Sequence, residues 1–155
     1  MTGLSPSRLA EVCGFLNEAH ARYLVVGGFA CALHGVIRAT KDVDLLIPED
    51  LDNARRVHAA LCRLPLHLAE EFEPEEFISK PFTIIGDWTR VDVLTRAGAT
   101  RFEDLWGDHL TAEIDGVRVP YPSLGGLIRT KDTDRLQDRA DAERLAEVLR
   151  ASPDG

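Results

Sequence analysis

Cysteine is scarce in this chain and poorly spaced for chemistry. Cys13, Cys31 and Cys62 form no Cys-x-x-Cys pair and show no metal-ligand spacing, and an odd count of this kind reads as reduced thiols in a cytosolic protein. Cys31 and Cys62 fall on the apolar faces of expected helices, as small core residues do. Positive charge is also in deficit: 18 Lys and Arg stand against 26 Asp and Glu, for a net charge of -8. That balance argues against a broad grip on nucleic-acid backbone, which needs clustered cations. It leaves room for a local basic patch near Arg38, Lys41, Arg129 and Lys131. No apolar run approaches the roughly 20 residues of a membrane span, and the N-terminus lacks the basic-then-apolar layout of a signal peptide. The expectation is a cytoplasmic protein with no membrane partner. His20, His58, His67 and His109 show no ligand spacing, and His34 reads as a packed or surface residue. No serine or cysteine sits in a nucleophile setting, so acyl transfer has no support. Internal repeats and low-complexity segments are missing too.

What is present is enough apolar material for one domain. The chain has 155 residues, 45% of them hydrophobic, which fits a single globular domain over residues 1–150 with a frayed tail at 151–155. Residues 5–20 read as a helix capped by Ser5 or Ser7, with Leu9, Val12, Cys13 and Leu16 at helical spacing. Tyr23 to Val26 is a short apolar run typical of a buried strand. Gly27-Gly28 ends it, and a short helix from Phe29 to His34 stops at Gly35. Asp42 to Ile47 reads as a second strand. Asp50 or Asp52 opens an amphipathic helix that buries Val57, Ala60, Leu61 and Leu64 and stops at Pro65. Residues 66–80 are acidic and read as a solvated loop or short helix. Phe82–Ile85 and Val91–Leu94 suggest a hairpin, and Asp115-Gly116 suits the type I′ turn of a second one. A helical turn is expected at Phe102–Trp106. Ser123 caps a helix holding Leu124, Leu127 and Ile128. The last helix, from about Asp134 to Arg150, should face Leu136, Ala140, Leu145, Val148 and Leu149 inward. The expected class is α+β, or mixed α/β, with a mixed sheet of about four or five strands flanked by helices.

The chemistry concentrates in three aspartates. Asp42 and Asp44 occupy i and i+2 of the second strand, so their carboxylates point the same way. Asp92 lies in the later apolar run Arg90-Val-Asp-Val-Leu-Thr95. If the two strands are neighbours, three carboxylates converge, and such a cluster repels itself unless cations neutralise it. Hard oxygen ligands suit Mg²⁺, which binds one or two carboxylates, keeps waters and accepts phosphate oxygens. Two such ions can clamp the attacking and leaving oxygens of a phosphoryl displacement. Asp92 would then help activate the nucleophile, as ligand or general base. Gly27-Gly28, where a strand turns into a helix, lets backbone N–H groups approach a phosphate. The plain alternatives are solvent-facing acids at a strand end for Asp42 and Asp44, an edge-strand surface residue for Asp92, and a surface lysine for Lys131. Asp138 and Asp141, at i and i+3, would then simply pair with Arg135, Arg139 or Arg144.

The order apolar strand, Gly27-Gly28, short helix, Arg38-x-Thr40-x-Asp42-x-Asp44 and distal Asp92 resembles the DNA polymerase β-like nucleotidyltransferase superfamily. Within it the chain is most similar to the abortive-infection AbiEii-type toxin branch, over roughly residues 20–145. Lys131 followed by Arg135-x-x-Asp138-x-x-Asp141 is similar to a Lys then Arg-x-x-Asp-x-x-Asp helix of that branch. The resemblance implies a nucleotidyltransferase fold using Mg²⁺, two ions in all, and a nucleoside triphosphate. Nucleotidyl transfer to an acceptor hydroxyl follows from it, the acceptor being RNA, protein or a small molecule. By position, Asp42, Asp44 and Asp92 are the catalytic and metal residues. Gly27 and Gly28 cradle the triphosphate, Lys131 reaches its outer phosphates, and Arg38 and Thr40 shape the rim. Membership of a toxin–antitoxin pair would add an antitoxin protein as a partner. The alternative is a non-catalytic relative, an interaction module that binds a partner protein or a nucleotide without turnover.

Overall fold

The computed structural model describes residues 6–37, 39–86 and 90–152. Ser5, Arg38 and the Asp87-Trp88 turn therefore lie outside the described residues, as do the last three of the tail.

Helix α1 (Pro6–Glu18) leads into β1 (Leu24–Val26), which turns directly into α2 (Gly27–Leu33). Strand β2 (Val43–Leu46) is followed by α3 (Leu51–Leu61). Asp50 caps α3, its carboxylate accepting from the Asp52 amide at 3.0 Å. The acidic stretch at 66–80 is more ordered than its charge suggests. It forms short 3-10 turns over Pro65–Glu71, broken by a kink at Leu66 and His67, and then α4 (Glu76–Ser79), and it buries Ala69 and Phe77 in the core. Phe77 is the main anchor, because burying a large apolar side chain contributes about 1.5–3 kcal/mol. Strands β3 (Phe82–Ile85) and β4 (Val91–Leu94) pair antiparallel, as their patterning predicts. Then come α5 (Phe102–Trp106), β5 (Leu110–Ile114), β6 (Val117–Tyr121), α6 (Leu124–Thr130) and α7 (Leu136–Ala151). The β5–β6 turn has positive φ at both Asp115 and Gly116, the geometry of a type I′ turn.

The fold is a mixed α/β arrangement with a four-stranded sheet, a separate two-stranded sheet and flanking helices. The strand order is β1-β2-β4-β3. β1 runs antiparallel to β2, β2 parallel to β4, and β4 antiparallel to β3. Period-2 alternation splits the large sheet into two faces. Val25, Val43, Leu45, Val91 and Val93 point into the main core, shared with Leu9, Val12 and Leu16 of α1 and Val57 and Leu61 of α3. Leu24, Val26, Leu46 and Leu94 point the other way, packing against Phe102 and Leu105 of α5. That second face is apolar only at one end. At the other it carries the acids.

Helix α7 departs from expectation. Leu136 is 83% exposed and Ala140 is exposed as well, while Asp141 is fully buried and Leu145 lies beneath it. The inward positions of the first two turns go to Asp138 and Asp141 because a buried lysine of α6's C-cap needs carboxylate partners there.

Candidate active site

Asp44 and Asp92 are directly opposite each other on the parallel pair β2–β4. The ladder continues one step outward, with the Val43 amide donating to the Arg90 carbonyl at 2.9 Å. Asp42 thus falls opposite Arg90 on the same face. Four side chains form a patch two residues wide on two strands: three acids and one base. Asp42, just before β2, and Asp44 are both half-buried.

Gly27 lets this patch exist. Val26 pairs with Asp44 in the ladder, so the chain leaving β1 must turn immediately beside that carboxylate. Gly27 turns with φ at +70°, a region that L side chains rarely adopt. A Cβ there would fall 3.0 Å from the Asp44 Cγ and nearer still to Oδ2. Gly28 follows within α2 and is buried. Gly27, Gly28, Thr40 and the three aspartates line a cavity of about 220 Å³. A second cavity of about 350 Å³ shares Asp44 and Asp92 with it and extends toward Phe82, Ile84 and Arg96.

The electrostatics are those of crowded acids. Burial first, then the charges of Asp92 and Asp42, push Asp44 up to about 7, against the opposing pull of Lys131. Asp92 is also raised by burial, although Arg90 pulls it down. The negative charge of Asp42 raises both. Among the described residues, Arg90 supplies the cation that touches Asp42 and Asp92. Its Nη2 lies 3.1 Å from Asp42 Oδ2 and donates to Asp92 Oδ2 at 3.2 Å. Its Nε lies 3.0 Å from Asp92 Oδ1, but both atoms are buried and neither makes an aligned hydrogen bond.

Lys131 is 4% exposed rather than a surface lysine, so it adds nothing to an exterior basic patch. Its ammonium sits 3.0 Å from Asp141 Oδ2 and 3.5 Å from Asp138 Oδ1. Thr133 donates to Asp138 at 2.7 Å and Gln137 to Asp141 at 2.8 Å, completing a polar cluster along one wall. Lys131 still lines both cavities. Asp138 and Asp141 consequently turn inward to Lys131, and the Arg135 guanidinium lies 3.9 Å from Asp138. His34 is structural: its Nε2 lies 2.8 Å from the Pro122 carbonyl and its ring meets Tyr121 edge-on.

Three observations fit a divalent cation bound by oxygen. The donors are all carboxylates, Asp92 Oδ1 is a buried acceptor without a hydrogen bond, and the three acids line a cavity of about 220 Å³. Among the described residues, no three acidic, histidine or cysteine groups stand close enough to hold an ion as they lie. Arg90 bridges Asp42 to Asp92 in that arrangement. Sequence reasoning brought the three aspartates, Gly27, Gly28, Thr40 and Lys131 to one place but overlooked Arg90 and Gln137. The signal for Arg90 was available, since it precedes Asp92 by two residues and must share its face. Among the described residues, no helix is long and apolar enough to cross a membrane. Compared with known protein families and with curated proteins, the chain matches no family model and no curated sequence.

Proposed function

We propose that the protein is a metal-dependent nucleotidyltransferase. It would move a nucleoside monophosphate from a nucleoside triphosphate to an acceptor hydroxyl, in the manner of the DNA polymerase β-like superfamily and its AbiEii-type branch. The observation that carries this reading is the pairing of Asp44 with Asp92 on adjacent parallel strands, with Asp42 one step away on the same face. Gly27 and Gly28 line the cavity before them, and Gly27 lets the backbone pass beside the Asp44 carboxylate. Asp42, Asp44 and Asp92 would hold Mg²⁺, whose chemistry is to polarise phosphoryl oxygens and lower the charge that the transfer must develop. Gly27 and Gly28 offer close backbone approach to phosphates, and Thr40 borders the same space. Asp92, which lines both cavities, would help activate the acceptor, as metal ligand or as the base that takes its proton. The acceptor oxygen then bonds to the α-phosphorus, the α–β anhydride bond breaks, and pyrophosphate leaves. Acceptors of RNA, protein or small-molecule type, and an antitoxin partner, belong to this proposal.

Transfer can be tested with each of the four α-labelled nucleoside triphosphates, Mg²⁺ and a cell extract as the source of acceptors. Label should move to an acceptor with wild type and not with Asp92→Asn. Equal transfer by both proteins, or none with any triphosphate, would sink the assignment. One observation favours the interaction-module reading instead: Arg90 already bridges Asp42 and Asp92 and offsets part of their charge without a metal. That reading predicts partner or nucleotide binding indifferent to chelator, and no covalent transfer.

A further inference from the structure

Arg90 has a place in the site that the three-acid scheme does not use. It stands at the fourth corner of the patch, opposite Asp42 and beside Asp92, and it touches both. Fully ionised, three carboxylates and one guanidinium carry a charge of -2, so Arg90 offsets only part of the repulsion. Its grip is good in charge and poor in hydrogen bonding. A well-formed arginine–carboxylate fork makes two parallel N–H···O bonds. Here only the Nη2 bond to Asp92 is aligned; Nε and Oδ1 are 3.0 Å apart, buried, and without a hydrogen bond. Two buried polar atoms with unspent capacity make this contact cheaper to give up than a complete fork. The exit is open as well. The Arg90 side chain is 37% exposed and borders both cavities, so it can swing aside without crossing the core.

We propose that Arg90 is a displaceable counter-ion: it holds Asp42 and Asp92 together while no metal is bound, and a divalent cation must replace it there. The inference rests on the metal-site reading above and deepens it, by naming the residue that sets the affinity for metal. A merely structural ion pair would behave in the opposite way, since its removal would loosen the site and weaken metal binding.

The test is Mn²⁺ binding to the full chain, followed by electron paramagnetic resonance, in wild type, Arg90→Gln and Arg90→Lys. Removing the competing cation should tighten Mn²⁺ at least tenfold in R90Q. R90K should fall between, because an ammonium keeps the charge but cannot bridge both carboxylates. In chelator, R90Q should melt below wild type, and saturating Mn²⁺ should raise its melting temperature by more than it raises wild type. Should R90Q not fold without metal, R90K carries the comparison. Mn²⁺ binding to R90Q with unchanged or weaker affinity overturns the role of Arg90 while leaving the metal site standing. Binding by neither protein at millimolar Mn²⁺ overturns both the role and the site.

Discussion

Replacing Asp44 by Asn should make the metal-free protein more stable at pH 8. Burial and the neighbouring charges of Asp92 and Asp42 push Asp44 from 3.8 to about 7. That shift of roughly 3 units corresponds to an upper bound of about 4 kcal/mol, at about 1.36 kcal/mol per unit. Solvent entering through the open cavity screens the site, so about 2 kcal/mol is the expected working figure. The sign follows from proton binding. Below about pH 4, Asp44 is protonated in folded and unfolded chains alike, and there is no penalty. As pH rises from about 4 to 7, the unfolded chain releases its proton first while the folded one retains it, so wild-type stability falls. Above 7 the penalty is complete. Asn cannot ionise, so the variant carries no such penalty. Urea denaturation in chelator at intervals from pH 4 to 8 should therefore show a gap between variant and wild type that opens with pH. An Asp44→Asn protein no more stable than wild type at pH 8, or a gap independent of pH, would refute the reasoning.

Gly27→Ala should cost about 2 kcal/mol of stability from its left-handed backbone alone, and it should abolish Mn²⁺ binding, because the new Cβ forces Asp44 aside. Gly35→Ala is the control: φ is +91° but nothing lies within 4 Å of the added carbon, so stability should drop and metal binding should not. Chemical denaturation and metal titration of the pair separate the two effects. Asp141→Asn leaves the buried Lys131 ammonium with only the longer contact to Asp138, and should destabilise by about 3–5 kcal/mol. Adding Lys131→Met should restore a substantial part of that loss in a double-mutant cycle, since no buried cation then lacks its partner. Additive losses would show that the pair does not act as a unit.

The site was legible to the extent that it follows from period-2 alternation. Asp42 and Asp44 had to share a face, and Asp92 had to sit opposite Val91 and Val93 on its own strand. Both hairpins, the Asp50 cap and the Ser123 cap were legible too, because turn and cap chemistry is local. Strand order was not. Nothing in the patterning of β2 or β4 states that they pair in parallel with Asp44 opposite Asp92; strand order is a non-local property that the alternation within one strand does not carry. Helix α7 misled for a related reason. Leu136 and Ala140 match an apolar stripe, but the stripe's outcome depended on Lys131, buried by another helix and in need of Asp138 and Asp141. Lys131 itself looks like a surface residue to any local rule, because lysines are seldom buried unless paired.

The most direct measurement is calorimetric titration of each Mg²⁺–nucleoside triphosphate into wild type and Asp44→Asn. The account predicts saturable binding of at least one triphosphate to wild type, lost in chelator and lost in the variant. Binding that survives both chelator and the substitution would contradict the three-carboxylate site. Absence of binding by wild type to all four triphosphates would contradict the nucleotidyltransferase assignment itself.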